Sequence, residues 1–484
     1  SRMEPAGWDY IVVGSGFGGS VSALRLAEKG YRVLVLEKGG RHTERDLPRT
    51  NWNLRRWLWM PRLGFRGPFK MTFLRHLTAL SGVGVGGGSI VYAGTLATPG
   101  DAFFRAPSWS GLADWKRELE PHYATAKRML GAVPNPRRTY PDEVLAELAC
   151  ELGRERDHAV TEVSVFFGEP GVTVPDPYFG GEGPERTGCT FCGGCMLGCR
   201  YGAKNRLETN YLWLAERRGA RILPDTEVRW IRPADGGGYE ITARAGRFPG
   251  RRRTHTFRAR HVVLAGGVLG TVPLLLRLKA NPEGLPRLSA RLGDFVRTNS
   301  EVLMGVTSLR RDRIMSEGVA ITSILRTDDH STLEPVRYSD GSGFFRVLGA
   351  PHAPGETLRA RLVSGTRYLL RHPRRTLRAW LVPDWARYTM ILLYMRTIDS
   401  HLSLRLGFGG RLRSLLAHGP RPTAAIPEAT ALAERVAERV DGYPMSLITE
   451  TLLGIPTTAH ILGGCVMGES AATGVIGPDH QVHG

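Results

Sequence analysis

The sequence predicts an α/β protein organised around a doubly wound, nucleotide-binding sheet, and three observations carry that expectation. Trp8 to Gly39 reads as strand, glycine turn, helix, strand. His261 to Thr271 repeats strand, glycine turn and helix further along the chain. The 484 residues also exceed what one hydrophobic core organises, so a second domain or large insertions are expected.

Tyr10 to Val13 is an apolar, β-branched run closed by glycine. From Ser20 the apolar residues Val21, Leu24 and Ala27 recur at helical spacing as far as Gly30, and Tyr31 to Leu36 is a second strand. The turn between them carries Gly14, Gly16 and Gly19 in the G-x-G-x-x-G pattern. Gly14 lets the chain reverse, Gly16 lets backbone approach a pyrophosphate, and Gly19 lets helix and strand pack closely. Glu37, at the end of the second strand, is placed to accept hydrogen bonds from an adenosine ribose, and its charge repels a 2′-phosphate, which argues against NADP. This unit leaves NAD and FAD both open. With 60 glycines in the chain the pattern alone is weak; the flanking strand, helix and acid strengthen it.

Composition is that of a globular protein, 42% hydrophobic and 23% charged. A formal charge of +19 suits nucleic acid, a membrane surface or general arginine richness. A nucleic-acid-binding protein leaves the glycine motifs unexplained, so that class is set aside. The longest uncharged stretches, Leu77 to Gly100 and Val262 to Leu276, are broken by glycine or proline, and no transmembrane span is expected. With the first strand starting within ten residues of Ser1, no secretory signal is expected. Four of six cysteines lie within eleven residues, unlike a secreted disulfide framework, so a reducing, cytoplasmic location is expected.

Between Asn51 and Arg75, Trp57, Trp59, Phe65, Phe69 and Phe73 interleave with basic residues, which suits an interfacial loop or an aromatic-rich substrate domain. Ser81 to Gly94 surrounds two short apolar runs with glycine, implying close backbone approach to something large and flat. Leu112 to Gly131 and Pro141 to Leu152 read as helices. Cys189, Cys192, Cys195 and Cys199 have the C-x2-C-x2-C-x3-C spacing of a [4Fe–4S] site. Arg200 stands where the ferredoxin pattern has proline, and zinc or four structural thiols remain open. Asn210 to Arg217 continues as helix, followed by strands of the nucleotide sheet from Arg221 to Ile231. Arg359 to Arg378 is basic and amphipathic, with no acid between Glu356 and Asp384, and Tyr388 with Ile391 to Tyr394 adds apolar surface soon after. A peripheral membrane contact and a solvated helix face are the two readings of it. His460, one of 14 histidines, is on its own an ordinary structural residue.

Taken together the motifs resemble the glucose–methanol–choline (GMC) oxidoreductase family, in its cholesterol-oxidase-like branch. The stretches that carry the resemblance are GSGFGGS with LEKG, GVGVGGGSIVYAG, CTFCGGCMLGCRYGAKN, VVLAGGVLGT, VRTNSE (Val296 to Glu301) and AHILGGCVMG, in family order. The resemblance implies FAD, bound by Gly14, Gly16, Gly19, Glu37, Gly86, Gly87, Gly88, Ser89, Val228, Ala265, Gly266 and Gly267. It implies a discontinuous FAD-binding domain of residues 8–45, 200–310 and 457–484 with the 81–95 loop. An α+β substrate domain with a mainly antiparallel sheet takes 46–199 and 311–456, including the 189–199 cysteine insert. His460 matches the family's active-site histidine and Glu334 its steroid-oxidising glutamate. The expected activity is oxidation of a secondary alcohol, foremost a 3β-hydroxysteroid, with oxygen or another electron acceptor; a non-steroid alcohol with electrons passing through the cysteine cluster is the alternative. The family continues past Gly484 with an asparagine that partners the histidine, so the chain as written is expected to be a poor catalyst.

Overall fold

In a computed structural model, which describes residues 7–484, β1 (Trp8–Val13), α1 (Phe17–Glu28) and β2 (Val33–Leu36) form the βαβ unit that the spacing predicts. The period of two in β2 has a structural consequence. Val33 and Val35 pack with α1 and the helix Tyr211–Arg217, whereas Leu34 and Leu36 pack with the helix Val268–Lys279 on the other face. A strand covered on both faces needs apolar residues at every position, which is why it reads as a continuous Val-Leu-Val-Leu run. The six-stranded sheet runs in the order Arg221–Leu223, β2, β1, Arg253–Leu264, Tyr239–Ala245, Thr226–Pro233. Its first four strands are parallel and the last two turn back antiparallel.

The second sheet is seven-stranded and antiparallel, in the order Gly349–Pro351, Gly442–Leu447, Val302–Ser308, Thr389–Arg396, Ser331–Val336, Ser323–Arg326, His158–Val160. Val302–Ser308, expected at the end of the 200–310 nucleotide segment, is therefore a strand of this sheet instead. Val302, Val306, Leu333 and Leu392 pack against the helices Tyr140–Glu151 and Pro427–Arg439. The alternate positions Leu303, Gly305, Glu334, Ile391 and Leu393 face a cavity on the other side. The expected helices after residue 112 are Trp115–Met129, whose first turn Asp114 caps by accepting from Arg117 N–H, and Tyr140–Glu151, opened by a Thr139–Asp142 capping box.

A small third sheet joins the two halves: Phe69–Phe73 pairs with Thr78–Gly82, which pairs in parallel with Thr457–Thr458. This brings the approach to His460 beside the glycine-rich loop that follows Gly82.

Several surface expectations change. Trp57 is fully buried and stacks on Phe69, because Asn53 caps a four-residue helix (Leu54–Trp57) that turns the indole inward; it is a core residue, not an interfacial one. Ile391 to Tyr394 lies in the seven-stranded sheet rather than on the apolar side of the basic segment. Arg361 is buried, donating to the carbonyls of Gly355, Glu356, Thr451 and Leu452. Among the described residues no helix is long and apolar enough to cross a membrane.

Candidate active site

The glycine turn is built by close backbone contacts. Gly14 has φ +101°, and a Cβ there would lie 2.5 Å from the Ala265 carbonyl oxygen; a Cβ on Gly19 would lie 2.0 Å from the Gly14 oxygen. Around Gly16 the space is open, with nothing within 4 Å of a Cβ. No side chain caps α1, so its first-turn N–H groups remain free to meet an anion. Glu37 is buried at the end of β2, and its two oxygens already work on the protein: Oε2 accepts from Ser15 N–H (3.1 Å) and Ser15 Oγ (2.8 Å), Oε1 from Gly39 N–H (2.8 Å). A carboxylate offers about four acceptor sites, so Glu37 retains capacity for a ribose hydroxyl while bracing the turn. Ser15, not singled out in the sequence, also accepts from Gly86 N–H at 3.2 Å and so ties the second glycine loop to the first. A Cβ on Gly87 would fall 2.7 Å from Gly16 Cα, so that loop closes onto the turn. Ser89 Oγ donates to the Gly86 carbonyl and accepts from Leu207 N–H. Ala265 N–H donates to the Val13 carbonyl, Gly266 N–H donates to Thr271 Oγ1, and Gly267 caps the helix Val268–Lys279. Val228 is buried in the six-stranded sheet. An uncapped helix start, an open Gly16 and a buried ribose-side acid are a donor set that fits FAD.

Phe17 of α1 and Gly88 of the second glycine loop also line a cavity of about 650 Å³, which continues to the apolar face of the antiparallel sheet. His460, Glu334 and Glu301 all border it. His460 Nδ1 lies 2.7 Å from Glu301 Oε2, and Ala459 N–H donates to Glu301 Oε1 at 2.5 Å, so one buried carboxylate fixes both the ring and the backbone before it. The His460 side chain is 45% accessible because its ring opens onto the cavity. Among the described residues its Nε2 has no partner, leaving that nitrogen for a substrate.

Electrostatics follow from this placement. Enclosure by the protein would lower the proton affinity of His460, but the charge and hydrogen bond of Glu301 outweigh it, and the ring titrates above its ordinary value. Burial pushes Glu334 up to about 7, with Glu301 raising it further and His460 opposing. The structure thus brings His460 and Glu334 to one cavity, as their assignment requires. Glu301 was quoted only as the last residue of VRTNSE; its partner is 159 residues away in sequence, and no local pattern announces the pair.

The cysteine cluster finds no support as a metal site. Cys189, Cys195 and Cys199 are buried, packed with Val163, Val165, Ala203, Val319 and Ala320, and Cys192 is half-buried. Among the described residues no group of three or more His, Cys, Asp or Glu is arranged to hold a metal. Burial raises the Cys189 thiol and pushes Cys195 up to about 12. The loop has another task. Lys204, fully enclosed, donates Nζ to the carbonyls of Ile90 (2.9 Å), Tyr92 (3.0 Å) and Cys195 (2.7 Å), which binds the cysteine loop to the wall of the cavity.

Comparison with known proteins agrees with this geometry. The family described as GMC oxidoreductase matches residues 184–292, and that described as NAD(P)-binding Rossmann-like domain matches residues 12–48. A cholesterol oxidase of Acinetobacter baumannii is 41% identical over 490 residues, covering 98% of this chain and 87% of its own. A cholesterol oxidase of Mycobacterium tuberculosis (strain ATCC 25618 / H37Rv) is 44% identical over 500 residues, covering 100% and 86%. Among solved structures, pyridoxine 4-oxidase from Mesorbium loti is similar with a TM-score of 0.60 and 16% identity over 98% of this chain and 92% of its own. Likeness at that identity speaks for the fold alone.

Proposed function

The chain belongs to the GMC oxidoreductase family, and from that premise we propose that it oxidises the secondary alcohol of a 3β-hydroxysteroid, a sterol of the cholesterol class, to the ketone. The observation that carries the reading is the His460–Glu301 pair opening onto an apolar cavity that adjoins the glycine turn. The cavity's volume of about 650 Å³ falls in the range of roughly 300–1,000 Å³ typical of small-molecule sites. Its apolar wall suits a fused hydrocarbon better than a sugar, whose hydroxyls would lose water without finding partners.

Gly14, Gly16, Gly19 and Glu37 would hold the pyrophosphate and ribose of FAD, with Gly86 to Ser89, Val228 and Ala265 to Gly267 completing the cofactor site. When bound, FAD supplies the acceptor for the hydride that leaves the carbinol carbon. His460 Nε2 takes the hydroxyl proton as that bond breaks, and a positioned base of this kind contributes about 10²–10⁴ in rate. Glu301 at Nδ1 selects the tautomer with a free Nε2 and stabilises the imidazolium that forms. Glu334, poised near neutrality, is a second proton-handling group on the same wall. Oxygen or another acceptor closes the cycle. Anaerobic mixing of the flavin-loaded protein with cholesterol, a long-chain alcohol and glucose tests the substrate class: cholesterol should bleach the flavin absorbance fastest, and preference for glucose would refute the reading.

The same reading extends to peripheral attachment at anionic lipid, where a sterol resides. It is supported by the helices Leu358–Arg371 and Pro373–Trp380, on which Leu358, Leu362, Leu370, Leu377 and Trp380 are exposed beside Arg359, Arg367, Arg371 and Arg374. Replacing Leu370 and Leu377 by Ser should weaken binding to anionic vesicles about tenfold or more at low salt. Unchanged vesicle binding would count against this surface.

A further inference from the structure

A second polar cavity, about 380 Å³, lies beyond the nucleotide unit, beginning three residues after Glu37. Five arginines (Arg41, Arg55, Arg56, Arg66 and Arg247) and His42 line it against two aspartates, Asp46 and Asp225. Arg41 is already paired with Glu216, and Arg66 with Asp225. Asp46 is turned to Thr43, accepting from its N–H and Oγ1. Arg55, Arg56 and Arg247 have no carboxylate partner among the described residues, although all three border one space.

The inner wall adds an independent observation. His42 and Arg66 are each only 8% exposed, and His42 Nε2 and Arg66 Nε are buried without any hydrogen-bond partner. Buried polar atoms are ordinarily satisfied, so two orphaned groups at the edge of one cavity mark a place where a ligand completes the bonding. The donors are guanidinium forks, which bind phosphate oxygens bidentately and with charge assistance, and an imidazole that burial keeps neutral and that can donate one N–H. None of the residues assigned to FAD lines this cavity.

We propose that this cavity is a binding site for a phosphate-bearing anion, with Arg55, Arg56 and Arg247 at its rim and His42 and Arg66 beneath. Its volume holds more than a bare phosphate, and both a soluble phosphorylated compound and a lipid headgroup present the same chemistry. Because no residue assigned to FAD lines this cavity, the proposal stands apart from the substrate reading.

The test is calorimetric titration of the flavin-loaded protein with pyrophosphate and, separately, vesicles of phosphatidylcholine with and without phosphatidic acid. The comparison is with Arg55→Ser/Arg247→Ser and with a control of equal charge, Arg156→Ser/Arg411→Ser. All four side chains are exposed, so the melting temperature should hold in both variants. The expected result is saturable pyrophosphate binding by the parent and the control, weakened at least tenfold by Arg55→Ser/Arg247→Ser. Loss confined to the phosphatidic acid vesicles would assign the site to a lipid headgroup. Equal weakening in both variants, or no saturable binding to either probe, would overturn the proposal. Binding seen only after flavin is stripped would overturn it too, by making the cavity part of the flavin site.

Discussion

His460 is held in the cavity by a residue that no local pattern in the sequence marks. Its ring is held at Nδ1 by Glu301, and that carboxylate is the reason the imidazole titrates above its ordinary value despite enclosure. A base must be neutral to accept a proton, so alcohol-dependent flavin reduction should fail on the acid side, as pH drops through the raised value for His460. Glu301→Gln removes the charge that raises it, and the acid limb should then move to lower pH while the maximal rate falls about tenfold or more. A pH–rate profile of anaerobic flavin reduction, parent against variant, checks this; an acid limb that stays in place would show that Glu301 does not set the protonation of His460. At this scale the βαβ turn at Gly14, Gly16 and Gly19 was legible because its spacing has a chemical reason, whereas His460 was singled out only through the family resemblance. At Cys189 to Cys199 ligand spacing did not by itself decide between a metal site and structural thiols, and Cys189, Cys195 and Cys199 are packed among valine and alanine.

The βαβ turn separates folding from binding within one motif. A Cβ on Gly19 would meet the Gly14 oxygen at 2.0 Å, whereas one on Gly16 meets nothing within 4 Å. Gly19→Val should therefore lower the melting temperature, with an overpacking cost of about 1–3 kcal/mol or more. Gly16→Leu should melt as the parent does in the flavin-free form yet retain no FAD, since its side chain fills the path to the uncapped helix start. Thermal melts and the flavin absorbance after desalting distinguish the two; full flavin retention by Gly16→Leu would remove the turn from the cofactor site. Elements with a strong period were readable in advance, as in the all-apolar β2 and the capped helices after residues 112 and 139. Trp57 was not, because a four-residue helix has too few positions for sequence to say which side turns inward.

Across the molecule, two sheets of different character meet at one cavity. The mixed sheet carries the glycine turn and the buried Glu37; the antiparallel sheet turns alternate apolar side chains and Glu334 toward the cavity. The small sheet that pairs Thr457–Thr458 with Thr78–Gly82 sets His460 at the junction. The place of Val302–Ser308 in the second sheet and the joining of Glu301 to His460 depend on contacts between residues far apart in sequence, which no local pattern announces. The account rests on His460 as the group that takes the alcohol proton. The most direct measurement is the rate at which cholesterol bleaches bound flavin under anaerobic stopped flow, for the parent and for His460→Ala at equal flavin content. The account predicts a rate lower by about a hundredfold or more in the variant, with the flavin spectrum before mixing unchanged. Equal rates in the two proteins would contradict it.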